Sequence, residues 1–144
     1  MPNKKLSNKK LLILHRHWMW ANIIKIEFDK QLAKMNRNEK IDPNRFFADR
    51  LGAYMCIWYS LLYCVLDEII KSGVDIPGLH VDYDILDKLR KFRNAVFHPQ
   101  PEYFSSMLFK LIKESNSALE IRSIHSALGN FFLQEMKRKI GMKG

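Results

Sequence analysis

The segment Lys91-Phe92-Arg93-Asn94-Ala95-Val96-Phe97-His98-Pro99 places a guanidinium five positions before an imidazole, with a carboxamide directly after the arginine. Arginine stays charged and can hold an anion through two parallel N–H donors, while histidine gains and loses a proton near neutrality. The pair therefore suits proton-transfer chemistry at a phosphate, with Arg93 as anion holder and His98 as acid or base. Lys88, Arg90 and Lys91 precede it as candidate phosphate contacts, although a run of charge on a helix is often only a solvated face. On a straight helix, residues five apart are separated by about 140°, so Arg93 and His98 do not converge on one phosphate unaided. Pro99 helps by pushing His98 out of the helical region, and a two-fold partner can bring a second copy of the segment into the same cleft.

Other candidates have simpler explanations. The chain contains no glycine-rich nucleotide loop, no C-x-x-C, no H-E-x-x-H and no G-x-S-x-G. Cys56 and Cys64 share a helix face without a histidine on that turn, as packed thiols do. His15 and His17 stand about 200° apart on a helix, cannot jointly hold one metal, and are expected on the surface or on a partly wet face. His125, beside Ile124, reads as a satisfied interior or rim histidine. Asp82, Asp84 and Asp87 fit helix capping and pairing with the helix dipole better than a cation site. No metal and no cofactor are expected.

These residues sit in a chain of 144 residues, the length of one domain, with 47% hydrophobic residues and only two cysteines. A chain of this size can bury a core without disulfides or structural metals. The formal net charge of +9 favours a polyanionic partner, nucleic acid or an acidic membrane face. His15, Arg16 and His17 interrupt the apolar stretch after the N-terminal lysines, so no secretory signal is expected. The charge-free run Leu51 to Leu66 is 16 residues, short for a membrane span. Together these features predict a cytoplasmic protein without a membrane partner.

Helical periodicity predicts five elements. A first helix spans Lys10 to Lys34, with Leu11, Leu14, Trp18, Ala21, Ile24, Phe28 and Leu32 at steps of three and four. After the polar stretch Met35 to Asp42, Asp42-Pro43 reads as a cap and first position, so the second helix is expected to start near Pro43 and stop at Ser72-Gly73. The loop SGVDIPGLH follows, and Asp82 starts a third helix that ends at Phe97 or His98. A short segment from Tyr103 to Lys113 and a last helix from about Ala118 to Ile140 complete the chain. Leu119, Ile121, Ile124, Leu128, Phe131, Phe132 and Met136 are expected inward on that last helix, and Met136 onward forms a basic tail matching the basic N-terminus. The architecture is all-α, one domain over residues 1–144, an up-and-down bundle of about five helices.

The segment Arg93, Asn94 and His98 at the end of a middle helix, in a small basic all-helical chain, resembles the HEPN superfamily (higher eukaryotes and prokaryotes nucleotide-binding domain). That family's signature is an arginine, a polar residue, three or more others and a histidine. The resemblance implies a homodimer whose motifs face each other and a metal-independent endoribonuclease in which the RNA 2′-hydroxyl is the nucleophile. His98 would act as acid or base, Arg93 would stabilise the phosphate, and Asn94 would orient one of them. It further implies a toxin, defence or stress effector with an antitoxin or other protein partner. A non-catalytic HEPN-like module binding RNA, nucleotide or a protein partner remains the alternative. One departure is visible: members paired with a nucleotidyltransferase antitoxin commonly carry a tyrosine two residues after the motif histidine, and here that position is Gln100. Trp18, Trp20, Trp58 and Tyr103 can stack on bases, but helical spacing makes most of them core.

Overall fold

The computed structural model describes residues 5–35, 45–46, 49–99, 111 and 115–141. Four α-helices account for nearly all of them: α1 (Asn8–Ala33), α2 (Arg50–Ser72), α3 (Tyr83–Phe97) and α4 (Ser115–Lys139). The all-α bundle expected from periodicity is present, with four helices among the described residues in place of five. Of the short helix expected at Tyr103 to Lys113, only Leu111 lies within the described residues, and it is helical and buried.

Helix ends follow local chemistry. Ser7 caps α1, its hydroxyl accepting from the Lys10 N–H at 3.2 Å. Asp82 caps α3 by accepting from the Ile85 N–H at 2.8 Å. Gly73 closes α2 in the left-handed conformation at φ 72°, which a residue without Cβ adopts freely. The start of α2 differs from expectation. Asp42 and Pro43 lie outside the described residues, Arg45 and Phe46 are helical, Asp49 is a bend, and α2 begins at Arg50. The last helix begins at Ser115, so Ser117 lies inside it and is buried.

Helix α2 is the axis of the core. Trp58, Leu62, Val65 and Leu66 are fully buried, each such side chain contributing roughly 1.5–3 kcal/mol by leaving water. Helices α1 and α3 pack on either side of it: Phe28 meets Trp58 at 5.5 Å and Phe92 meets Tyr59 at 5.5 Å between ring centroids. Lys10 pairs with Glu68 at 3.0 Å, tying the start of α1 to the end of α2, so the two run antiparallel. By length and composition alone α2 is apolar enough to cross a membrane, but half of that stretch is buried inside the bundle, as in a core helix. On α4, Ile121, Ile124, Leu128 and Phe132 are buried as expected. Leu119 is 68% exposed because two residues before Ile121 is the opposite side of the helix.

Gly129 permits a close approach of Trp18 to the backbone of α4. A Cβ there would stand 2.5 Å from Cζ2 of Trp18, whose indole N–H donates to the His125 carbonyl at 3.1 Å and whose ring lies 4.9 Å from the imidazole. The indole is held from two sides and cannot swing away cheaply. Gly129→Ala is expected to cost about 1–3 kcal/mol, read as a lower urea midpoint at unchanged slope. An unchanged midpoint would show that Trp18 is not fixed there.

Candidate functional site

The motif residues lie at the carboxyl end of α3. The His98 N–H closes the last helical hydrogen bond on the Asn94 carbonyl at 2.9 Å, and His98 itself turns extended at φ −116° and ψ 106°. This is the release expected of a residue before proline. His98 and Pro99 are exposed, so the imidazole stands where a large ligand can reach it.

Arg93 is half-buried and held from two sides. Its Nη2 and Nε donate to the Asn94 Oδ1 at 2.9 and 3.3 Å, and the guanidinium lies 4.7 Å from the centre of the Tyr63 ring. Among the described residues it meets no carboxylate. The structure thus joins Arg93 to Asn94 by side chains and Asn94 to His98 by backbone. Tyr63 had no sequence marker: it lies in the apolar run of α2, 30 positions before Arg93. Burial, and then the Asp67 carboxylate, raise the Tyr63 phenol above its ordinary range, against the opposing charge of Arg93.

The three basic residues upstream are paired along their own helix. Lys88 meets Asp84 at 2.8 Å, and Asp87 takes both Arg90 at 2.6 Å and Lys91 at 2.9 Å. The hydrogen bonds from Lys91 and Arg90 hold the Asp87 carboxyl below the usual carboxylate range. Arg90, Lys91 and Asp84 are exposed while Lys88 and Asp87 are half-buried, and ion pairs at a surface are worth little individually. Asp82, Asp84 and Asp87 accordingly do the capping and pairing expected of them.

The remaining candidates are structural. His125 is 3% exposed; its Nδ1 accepts from the Trp58 indole N–H at 3.1 Å and its Nε2 donates to the Asn22 Oδ1 at 3.0 Å. Burial, with Lys25 and Arg122 nearby, pushes it down to about 4. Next to it Arg122 spans to Asp29, at 2.7 Å, and Lys25 meets the same carboxylate at 2.8 Å. Burial works to raise Asp29, but the hydrogen bonds from Arg122 and Lys25 outweigh it and hold the carboxyl low.

His15 packs on Phe132 at 5.5 Å and is lowered by burial, and His17 bonds the Ile13 carbonyl at 2.9 Å, both half-buried as a partly wet face requires. Cys56 and Cys64 are half-buried free thiols, Cys56 pushed up to about 12 by burial. Trp58 is core, Trp18 is partly buried, Trp20 is 45% exposed, and Tyr103 lies outside the described residues. Among the described residues no three His, Cys, Asp or Glu side chains stand close enough together to hold a metal ion. No protein-family model, curated protein or solved structure matches the chain.

Proposed function

We propose that the chain is a cytoplasmic HEPN-like protein acting as a metal-independent endoribonuclease through Arg93, Asn94 and His98. One observation carries the reading: Arg93 is oriented by Asn94 and Tyr63, with no carboxylate partner among the described residues, one turn before an extended, exposed His98. A guanidinium so placed has donors to spare for a phosphate. RNA brings its own nucleophile. The base removes the 2′-hydroxyl proton, the O2′–P bond forms, the P–O5′ bond breaks, and an acid returns a proton to O5′. A cyclic 2′,3′-phosphate and a 5′-hydroxyl result. Arg93 stabilises the charge that builds on the phosphoryl oxygens, and the two histidines of a homodimer can serve as base and acid. Lys88, Arg90 and Lys91 track the strand, and an antitoxin or other protein partner would act by covering this end of α3.

A second reading, a binding module without turnover, draws on the pairing of Lys88, Arg90 and Lys91 with carboxylates of their own helix. End-labelled single-stranded RNA incubated with the purified chain in excess EDTA separates the two, with DNA of the same sequence as control. Cleavage of RNA alone supports the enzyme; binding without cleavage across varied RNAs supports the module.

In the enzyme Tyr63 is a positioning residue. Tyr63→Leu removes the ring under Arg93, and a cation over an aromatic face contributes about 0.5–2 kcal/mol, so cleavage is expected to fall roughly 3- to 30-fold. Tyr63→Phe keeps the ring and should retain most activity. If Tyr63→Phe is as impaired as Tyr63→Leu, the ring is not what orients Arg93.

A further inference from the structure

The face of α1 turned away from α2 carries Leu12, Ile13, Met19, Trp20, Ile23 and Ile26, each between 37% and 58% exposed. This is not scattered surface hydrophobicity. Leu12, Arg16, Met19, Ile23, Ile26 and Lys30 recur at steps of four and three, the spacing of a coiled-coil seam, while Leu11, Leu14, Ala21 and Phe28 bury the other side of the same helix. Two seams on one helix ask for two partners, and the rest of the bundle supplies one.

We infer that a second copy of the chain covers this face, with the two α1 helices packed antiparallel about an axis between Met19 and Ile23. The area is adequate. Six such side chains at about half exposure present on the order of 500 Å² per copy, at the upper end of patches on monomers, and two copies reach the roughly 1,000 Å² of a specific interface before any polar rim is counted.

Charge chooses the direction. Parallel helices would set Arg16 against Arg16 and Lys30 against Lys30 inside the seam. The antiparallel register pairs Met19 with the partner's Ile23 and sets Arg16 against the partner's Ile26, next to the partner's Glu27. Arg16 stacks over Trp20 at 5.2 Å and Glu27 meets Lys30 at 3.3 Å in an exposed contact, so both can turn to the partner. The register also brings Trp20 beside its symmetry mate.

This contact does not rest on the ribonuclease reading. Helix α2 stands between α1 and α3, so the α1 seam leaves both motifs on outer sides. A motif-to-motif cleft would be a separate contact, and a chain using both would assemble beyond a dimer.

Light scattering on the eluting protein at about 10 and 100 µM tests the seam, with Ile23→Glu and Met19→Lys as seam variants and Phe97→Glu as a control beside the motif. Both seam positions are exposed, so the variants should keep their helical circular dichroism. The wild type is expected at twice the chain mass or more. The seam variants should show half the wild-type mass, with dissociation at least 100-fold easier, and Phe97→Glu should retain the seam contact. A wild type at single-chain mass at 100 µM would overturn the inference. So would seam variants that keep the wild-type mass, or a monomer that instead sediments with anionic phosphatidylglycerol vesicles.

Discussion

His98→Ala should lower RNA cleavage by about 10³-fold or more while leaving RNA affinity within a few fold. General acid–base catalysis is worth roughly 10²–10⁴, and in a two-fold cleft the substitution removes both proton-transfer groups at once. Alanine can also make the backbone bond from position 98 to the Asn94 carbonyl, so the helix end is kept, and a thermal midpoint measured beside the rate reads any change in folding. The variant therefore separates catalysis from stability. Retention of wild-type cleavage by His98→Ala, with a matched thermal midpoint, would remove the imidazole from the mechanism.

Acidification should destabilise the fold through His125. In the folded chain its Nδ1 is occupied as an acceptor by the Trp58 indole N–H, so a proton there would set donor against donor. Lys25 and Arg122 face the ring from α1 and α4, and only Asp29 offsets them. The unfolded histidine takes up its proton near pH 6.5, whereas the folded one resists until about 4. Stability is thus full above pH 6.5 and declines as pH falls toward about 4, a loss of about 3 kcal/mol in all. At lower pH, protonation of Asp29, held low in the fold, adds a further decline.

His125→Leu tests the assignment in two ways. At pH 7.5 it leaves the Trp58 N–H and the Asn22 carbonyl oxygen without their partner and should cost about 2–4 kcal/mol. Between pH 6.5 and about 4 its urea midpoint should vary much less than that of the wild type. Equal slopes in the two proteins over that range would show that another group governs the acid response.

The features legible in the sequence are those set by near neighbours. Asp82 caps α3 three residues away, Gly73 ends α2, and Pro99 turns His98 out of the helix, each within one turn of its cause. Helical periodicity likewise marks the buried face of α1 as far as Phe28 and that of α4 from Ile121, whereas Leu32 is 39% exposed. The misplaced residues are those whose environment is set at a distance or by fine angle. Leu119 stands two positions before Ile121 and so on the opposite face, and α2 begins at Arg50, after Asp49 and not near Pro43. The partners of His125, Trp58 and Asn22, lie 67 and 103 positions away, and Tyr63 reaches Arg93 only because α2 and α3 pack together. The outer seam of α1 follows the same spacing as the inner one and shows itself once the inner face is accounted for.

In the proposed ribonuclease, Arg93, Asn94 and His98 direct an RNA's own 2′-hydroxyl at its phosphate. The most direct measurement uses an RNA with one mapped cleavage site, incubated in excess EDTA beside the same strand carrying a single 2′-deoxynucleotide on the 5′ side of the scissile bond, with product ends analysed. The all-RNA strand is expected to be cut to a 2′,3′-cyclic phosphate and a 5′-hydroxyl, with no cleavage at the substituted position. Cleavage that persists at the 2′-deoxy site, or 5′-phosphate ends, would mean that water is the nucleophile and would contradict the mechanism.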